Sequence, residues 1–496
     1  MPSKPRPLLN HTQLDANQRA LFESARTSPV KILQIGEGNF LRGFFDWMVH
    51  TCRKQGLYDG SIVVTQPRPA GAQKLADLRR QEGLYTLLTR GLEQGKLVEQ
   101  SEVISVFSDA VDPYATWSEF LSLAENPHLE VVVSNTTEAG LAYVPTPFTG
   151  DQPLVSFPAR LTAFLFRRFS HFEGAADKGL VLLPCELLEH NGDLLRTGVL
   201  RHSADWGLPD EFVAWVKHHN RFLNSLVDRI VTGYPTDEAA QLFADWGYED
   251  AFLNTAEPYH FWAIEGDERL AKLLPFQQAG LNVHWVEDLE PYHVRKVRIL
   301  NGAHTLMTPL GLLRGFHHVR EIMEDTRLRR FVQTAIEGEI MPVLALDAEE
   351  LQAYADTVFE RFCNPFIQHR LLDIAMNSIS KFRVRLLPSL LDFQTKTGAL
   401  PTHIVEALAA LVRLYKCRQT EAGYVGARLN GEIYPLRDEP AVLQFFATLW
   451  SRHDTKEISL DEVGVHTLAN VELWGTDLTQ VDGLADLLGK HLAEYQ

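Results

Sequence analysis

Cysteine is scarce in this chain, and what there is stands far apart. Cys52, Cys185, Cys363 and Cys417 are the four in 496 residues. No two form a C-x-x-C pair, so neither a zinc site nor a disulfide framework is indicated. A reduced, cytoplasmic setting is expected. Long apolar runs are also missing, and none could span a bilayer. Residues 1–30 contain Lys, Arg and Pro but no continuous apolar stretch of the secretory type. An excess of positive charge is absent too. Lys and Arg number 47 against 64 Asp and Glu, a net charge of −17. That argues against a general nucleic-acid binder, because phosphate contacts need clustered cations. An anionic substrate would need a local basic pocket set against this field. There are no internal repeats and no low-complexity tract. The pairs His218-His219 and His317-His318 lack same-face spacing for a metal, and no ligand cluster for a metal-dependent epimerase is found.

What is present is ordinary globular material, 45% hydrophobic and 22% charged, with length enough for two or three domains. Residues 1–30 read as a polar arm with one short helical piece. Val30 to Ile35 reads as a buried strand, Phe40 to Gly56 as a helix and Ser61 to Gln66 as a second strand, a β-α-β unit. Leu84–Gly91 and Lys96–Phe107 read as antiparallel strands turning at Glu93-Gln-Gly95. Leu129–Ser134 and Gly179–Pro184 are further strands, and Phe212–Val231 has helical apolar spacing. Beyond residue 285 the spacing predicts helices over Val297–Leu313, Leu328–Leu346, Glu349–Phe362, Arg370–Leu387 and Ile404–Leu414. Thr402 is a candidate N-cap. Glu421–Ala427 reads as a loop, and the tail from Glu439 as helix. The expected fold is α/β, a Rossmann-type dinucleotide-binding domain over 1–285 followed by a mostly helical substrate domain over 286–496. Nothing in the pattern fixes an oligomeric state.

The turn after the first strand is Ile35-Gly36-Glu37-Gly38-Asn39-Phe40-Leu41-Arg42. Glycines there let backbone N–H groups approach a pyrophosphate. The third glycine of G-x-G-x-x-G falls at Leu41, with Gly43 two residues late, so the run alone also fits a tight strand-to-helix turn. Asn39 and Arg42 are candidate phosphate contacts. The second strand ends in Gln66, Pro67 and Arg68, where an acid would grip ribose hydroxyls. NAD and NADP therefore both remain open. Asn135, Thr136, Thr137 and Glu138 follow a strand of the same sheet and join the candidate cofactor set.

The second constellation is Lys296, Asn301 and His304. A ketone becomes an alkoxide as hydride arrives, so an acid must deliver a proton. An ammonium can do so if burial and neighbouring cations, here Arg295 and Arg298, lower its pKa. An Asn amide can donate to the developing oxyanion. On a regular helix Lys296 and His304 lie about 80° apart in projection but roughly 12 Å apart along the axis. Either the first turn is irregular or the groups grip different parts of a long substrate. A solvated lysine and a core histidine satisfy the same spacing. Glu186 and Asn191 follow another strand end and are further candidates. Lys381 and Arg385 share a helix face at i, i+4, with Arg383 between them, and could hold a carboxylate.

These residues resemble the polyol-specific long-chain dehydrogenase family, also called the mannitol dehydrogenase family. The K-x-x-x-x-N-x-x-H signature is matched at Lys296, Asn301 and His304. Gln34 to Arg42, Ser134 to Gly140, Pro184 to Leu187, Leu226 to Pro235 and Ile299 to Thr305 match as well. The resemblance implies reversible, metal-independent, NADH-linked reduction of D-tagaturonate to D-altronate in hexuronate breakdown. It implies Lys296 as general acid and base, Asn301 and Asn191 at the oxyanion, His304 orienting substrate, and Lys381 touching it. Mannitol-type members carry Cys-Asp-Asn where this chain has Cys185-Glu-Leu187, so an oxyanion role at that first Asn has no matching residue here. Fructuronate or a neutral polyol is the alternative substrate. A nucleotide-sensing protein with a structural lysine cluster is the non-enzymatic alternative.

Overall fold

The computed structural model describes residues 6–148, 150 and 152–495; residues 1–5 of the expected polar arm lie outside them. Short runs rich in Val and Ile build strands, as β-branched side chains fit a pleated, buried surface. In chain order these are β1 (Val30–Ile35), β2 (Ser61–Thr65), β3 (Tyr85–Glu93), β4 (Lys96–Ile104), β5 (Phe107–Val111), β6 (Val131–Ser134), β7 (Val181–Pro184) and β8 (Arg221–Phe222). A six-stranded sheet runs β5-β2-β1-β6-β7-β8, and every neighbouring pair in it is parallel. β2, β6 and β7 are buried at every residue, as parallel strands covered on both faces must be. One apolar cluster, including Phe45, Ile62 and Trp262, packs on the sheet, and so does a second, including Val63, Phe120 and Phe164. The strand order reverses between β1 and β6. In doubly wound sheets the crevice outside the carboxyl ends at that point takes the ligand.

The chain divides into two units, Met1–Glu93 with Leu97–Leu289, and Gln94–Lys96 with Glu290–Gln496. The first unit also contains β9 (Ser225–Asp228), β10 (Val231–Gly233), β11 (Asn254–Ala256), β12 (Phe261–Glu265) and β13 (Val283–Val286). They form the sheets β10-β11-β3-β4 and β13-β12-β9. Three expectations are corrected in this unit. The helix expected over Phe40–Gly56 is one turn, Asn39–Arg42, followed by a second helix, Phe45–Lys54. At Gly43 a Cβ would come within 2.8 Å of the Val231 side chain, so β10 leaves no room for a continuous side-chain-bearing helix. The helical spacing of Phe212–Val231 ends at His219, and β8, β9 and β10 follow, where β-branched residues and Asn220 override the periodicity. The second arm of the hairpin stops at Ile104, and Phe107 opens β5, the outer strand of the main sheet.

The second unit is mostly helical. Helix Gly302–Leu313 is buried along its whole length, as a helix apolar on all sides should be. It packs on helix Thr402–Leu414, which packs in turn on Leu484–Ala493. Thr402 is not the N-cap. Pro401 holds that position without a side-chain bond, and the Glu339 carboxylate caps the helix by accepting from the backbone N–H of His403 and Ile404 at 2.9 Å. The segment expected as a loop is a strand. β14 (Cys417–Thr420), β15 (Gly423–Ala427) and β16 (Ile433–Pro435) form an antiparallel three-stranded sheet. The α/β, Rossmann-type fold followed by a mostly helical region is the architecture expected from the sequence.

Candidate active site

The first group of functional side chains gathers at the carboxyl ends of β1, β2, β6 and β7. After Ile35 the chain turns at Gly36, whose φ of +129° is a conformation only glycine adopts freely. A Cβ there would sit 2.8 Å from the Asn135 carbonyl oxygen. Glycine thus lets the turn after β1 close on the loop after β6. Nothing lies within 4 Å of a Cβ built on Gly38, so that face of the turn is open. Glu37 is buried, with its carboxylate 4.0 Å from the Lys74 ammonium. Its Oε2 has no hydrogen-bond partner, and neither polar atom of the fully buried Gln66 has one. Phe40 and Leu41 follow in the single helical turn, Leu41 buried in the core. Arg68 is exposed and lines a cleft with Pro67, Thr136, Thr137 and Gly140.

Arg42, a candidate phosphate contact, is buried and bonded within the protein. Its guanidinium donates to the Glu37 carbonyl at 3.3 Å, to Asn39 Oδ1 at 2.7 Å and to the Phe252 carbonyl. Tyr85 and Phe252 present their rings 5.2 Å away. Burial lowers its pKa, and the cation braces the turn from inside. Asn39 stays exposed.

Glu186 and Asn191 are likewise braces. Glu186 is buried and accepts from Ser134 Oγ at 3.1 Å, the Thr136 N–H at 2.9 Å and Thr136 Oγ1 at 3.0 Å. Burial raises its pKa against those bonds. It ties the end of β7 to the loop after β6, as Asn135 does by donating to the Cys185 carbonyl at 2.7 Å. Thr137 accepts from the Gly140 N–H, and Glu138 is exposed. Asn191 is fully buried at the start of helix Asn191–Asp205. Its amide donates to the Glu186 and Ser225 carbonyls and accepts from the Ser225 N–H. Both of its hydrogens are used, which leaves none for an oxyanion.

The second group belongs to the helical unit. Lys296–Asn301 is a π-helical turn, and the α-helix Gly302–Leu313 continues from it. Such turns are rare and concentrate at functional sites. A regular helix would set Lys296 and Asn301 about 140° apart, whereas an i→i+5 repeat stacks them. His304 follows Asn301 by an i, i+3 step and shares its face. The irregular turn is the first of the two solutions the spacing allowed. Arg295 pairs with Glu350, and Arg298 donates to Ser389 Oγ at 2.7 Å and lies 3.3 Å from Asp392. Each expected neighbour of Lys296 therefore has a carboxylate partner of its own.

His304 is buried, with the rings of Phe362 and His369 each 4.6 Å away. Its Nε2 is buried and has no partner. Burial, then His369, Arg385, Arg361 and Lys381, hold its pKa well below the usual imidazole value. The ring is therefore held neutral, with the cations Arg385, Arg361 and Lys381 acting on it. Lys381 donates to the Ile374 carbonyl at 2.8 Å, and burial and Arg385 lower its pKa. Arg385 donates to Thr305 Oγ1 at 3.3 Å, and Thr305 donates to the Asn301 carbonyl at 2.9 Å. Arg383 lies apart from these, exposed beside Gly475. Arg361 and His369 escaped the reading of the sequence. The available signal was an arginine among the apolar positions Val358, Phe359 and Phe362 of one helix. Among the described residues no group of three or more His, Cys, Asp or Glu is placed to hold a metal, and no helix is long and apolar enough to cross a membrane.

Residues 30–278 match the mannitol dehydrogenase Rossmann domain and residues 288–496 the mannitol dehydrogenase C-terminal domain. An altronate oxidoreductase of Cronobacter sakazakii is 46% identical over 458 residues, 92% of each chain. One from Halalkalibacterium halodurans is 40% identical over 484 residues, covering 98% of this chain and 94% of its own. Among solved structures, Pseudomonas fluorescens mannitol 2-dehydrogenase, a ternary complex with NAD and D-mannitol, superposes with a TM-score of 0.67 at 23% identity. The match covers 98% of this chain and 96% of that one. A substrate-free D-sorbitol dehydrogenase gives 0.74 at 21% identity, covering 94% and 92%. At those identities the structural likeness speaks to the fold alone.

Proposed function

The chain belongs to the mannitol dehydrogenase family, and from that premise we propose that it interconverts D-tagaturonate and D-altronate with NAD. Altronate oxidoreductases 40% to 46% identical over nearly the whole chain support this reading. Residues 1–285 are assigned to the cofactor and 286–496 to the substrate. Gly36, Glu37, Gly38, Gln66, Arg68 and Thr136 would hold the dinucleotide. The open face at Gly38 and the unpartnered polar atoms of Glu37 and Gln66 fit such a ligand. When bound, the cofactor gives or takes the hydride.

The protein's own task is the proton and the charge. Lys296 donates a proton to the carbonyl oxygen during reduction and removes it from the hydroxyl during oxidation. The Asn301 amide donates to the same oxygen as negative charge grows on it. His304, held neutral, offers Nε2 to a substrate hydroxyl. Lys381 and Arg385 meet the substrate carboxylate, with Arg361 adding charge of the same sign. Four free thiols at scattered positions fit a cytoplasmic enzyme of hexuronate breakdown.

The feature that supports the uronate reading is the set of cations, Arg385, Arg361 and Lys381, acting on the buried His304. In a chain of net charge −17, such a local group of cations suits an anionic group on the substrate. The test is NADH oxidation with D-tagaturonate, D-fructuronate and D-fructose in parallel. D-tagaturonate should give the highest kcat/KM, and equal or faster turnover of D-fructose would reject a uronate substrate.

A further inference from the structure

The end of β2 has no acid to hold the adenosine ribose, and the structure supplies a carboxylate there from another element. We propose that Glu37, inside the glycine turn, accepts from the ribose hydroxyls together with Gln66 and so selects NAD over NADP. The inference rests on the proposed nicotinamide-dependent function and names the residues that set its cofactor.

Three contacts bring the groups together. The Gly36 N–H donates to the carbonyl of Thr65, the last residue of β2, at 2.8 Å. This ties the glycine turn to that strand end. A Cβ built on Gly71 would lie 2.7 Å from Gln66 Cβ and 3.2 Å from Glu37 Oε1. Both side chains therefore pack around one point, the volume that Gly71 leaves to them by having no Cβ. Lys74 stands 4.0 Å from the carboxylate.

Their bonding is incomplete in a way that points to a ligand. Gln66 is wholly buried, yet its Nε2 and Oε1 both lack partners, and so does the buried Glu37 Oε2. Buried polar side chains are nearly always bonded in folded proteins. An unpartnered carboxylate oxygen beside an unpartnered amide suits a vicinal diol, whose hydroxyls both donate and accept. A 2′-phosphate would instead bring a dianion against the Glu37 carboxylate. Arg68, exposed at the same strand end, is the group that would favour that phosphate, so the two outcomes are opposed.

The test is fluorescence titration of the full chain with NADH and with NADPH, without substrate. Wild type should bind NADH about 10–100-fold more tightly, the range expected of hydrogen bonds to a charged group. Glu37→Gln should weaken NADH binding by about tenfold or more and bring the two constants close together. Gln66→Leu should weaken NADH by more than it weakens NADPH. Wild-type affinity for NADPH equal to that for NADH would overturn the inference. An unchanged ratio in folded Glu37→Gln, or unchanged NADH affinity in Gln66→Leu, would also overturn it. If NADH is preferred but no uronate is reduced, the reaction assignment fails and the role of Glu37 stands. If D-tagaturonate is reduced equally well with both cofactors, the reaction stands and the role of Glu37 falls.

Discussion

Lys296 and Asn301 stand at the two ends of a single π-helical turn, so an ammonium and an amide that a regular helix would separate share one face. If the amide donates to the developing oxyanion, its removal should affect the chemical step more than binding. Asn301→Ala is expected to lower kcat by about 10²–10³-fold, with the NADH dissociation constant unchanged. Steady-state kinetics combined with a nucleotide titration separates the two effects.

Arg385 reaches Asn301 through Thr305, and it works with Lys381 on the same neutral His304. Arg385→Ala should lower kcat/KM for D-tagaturonate by about 10–100-fold, the worth of a charge-assisted hydrogen bond. The smaller activity with D-fructose, which has no carboxylate, should change much less. An equal loss on both substrates would show that the arginine only supports the fold.

Asp46 lies fully buried beneath the glycine turn, where Gln34 and Tyr85 donate to it at 3.4 Å and 3.3 Å. Burial pushes its pKa from 3.8 to about 8, while Gln34, Arg42 and Tyr85 pull the other way. Between those values the folded state keeps a proton that the unfolded chain has lost. The contribution is thus fully present below the unfolded pKa and is lost as pH rises through about 8. Asp46→Asn copies the protonated acid, so it should be nearly neutral at pH about 4 and progressively stabilising towards pH about 8. Urea unfolding at acid and mildly alkaline pH would reveal it, and an identical difference at both would contradict it.

Asn191 joins the loop after β7 to β9 through three main-chain bonds. Asn191→Ala should cost about 1–3 kcal/mol, because buried backbone groups lose their partners. Thermal melting should show the loss, and turnover per folded molecule should fall by less than in Asn301→Ala.

Strands β1, β2, β6 and β7 were legible because they are short, β-branched and closed by turn residues, whereas β5 was merged into a hairpin arm and β8 into a helical pattern, and the strand order was not legible. The lysine triad was legible as a motif, but its geometry was not. Spacing alone cannot tell a π-turn from an α-turn, because the extra residue changes the register without changing composition. Arg42, Glu186 and Asn191 look like ligand contacts in one dimension. Their partners, at Phe252, Thr136 and Ser225, are distant or turn-bound, and no local pattern announces them. His369 packs its ring on His304 and Arg361 acts on it by charge, each from a separate segment, and only the tertiary fold gathers them.

The most direct measurement is single-turnover reduction of D-tagaturonate by NADH-loaded Lys296→Ala, beside a nucleotide titration of the same protein. The expected result is normal NADH affinity with the rate of NADH oxidation reduced by about 10²–10⁴-fold, the usual worth of general acid catalysis. A rate within a few-fold of wild type would contradict Lys296 as the proton donor.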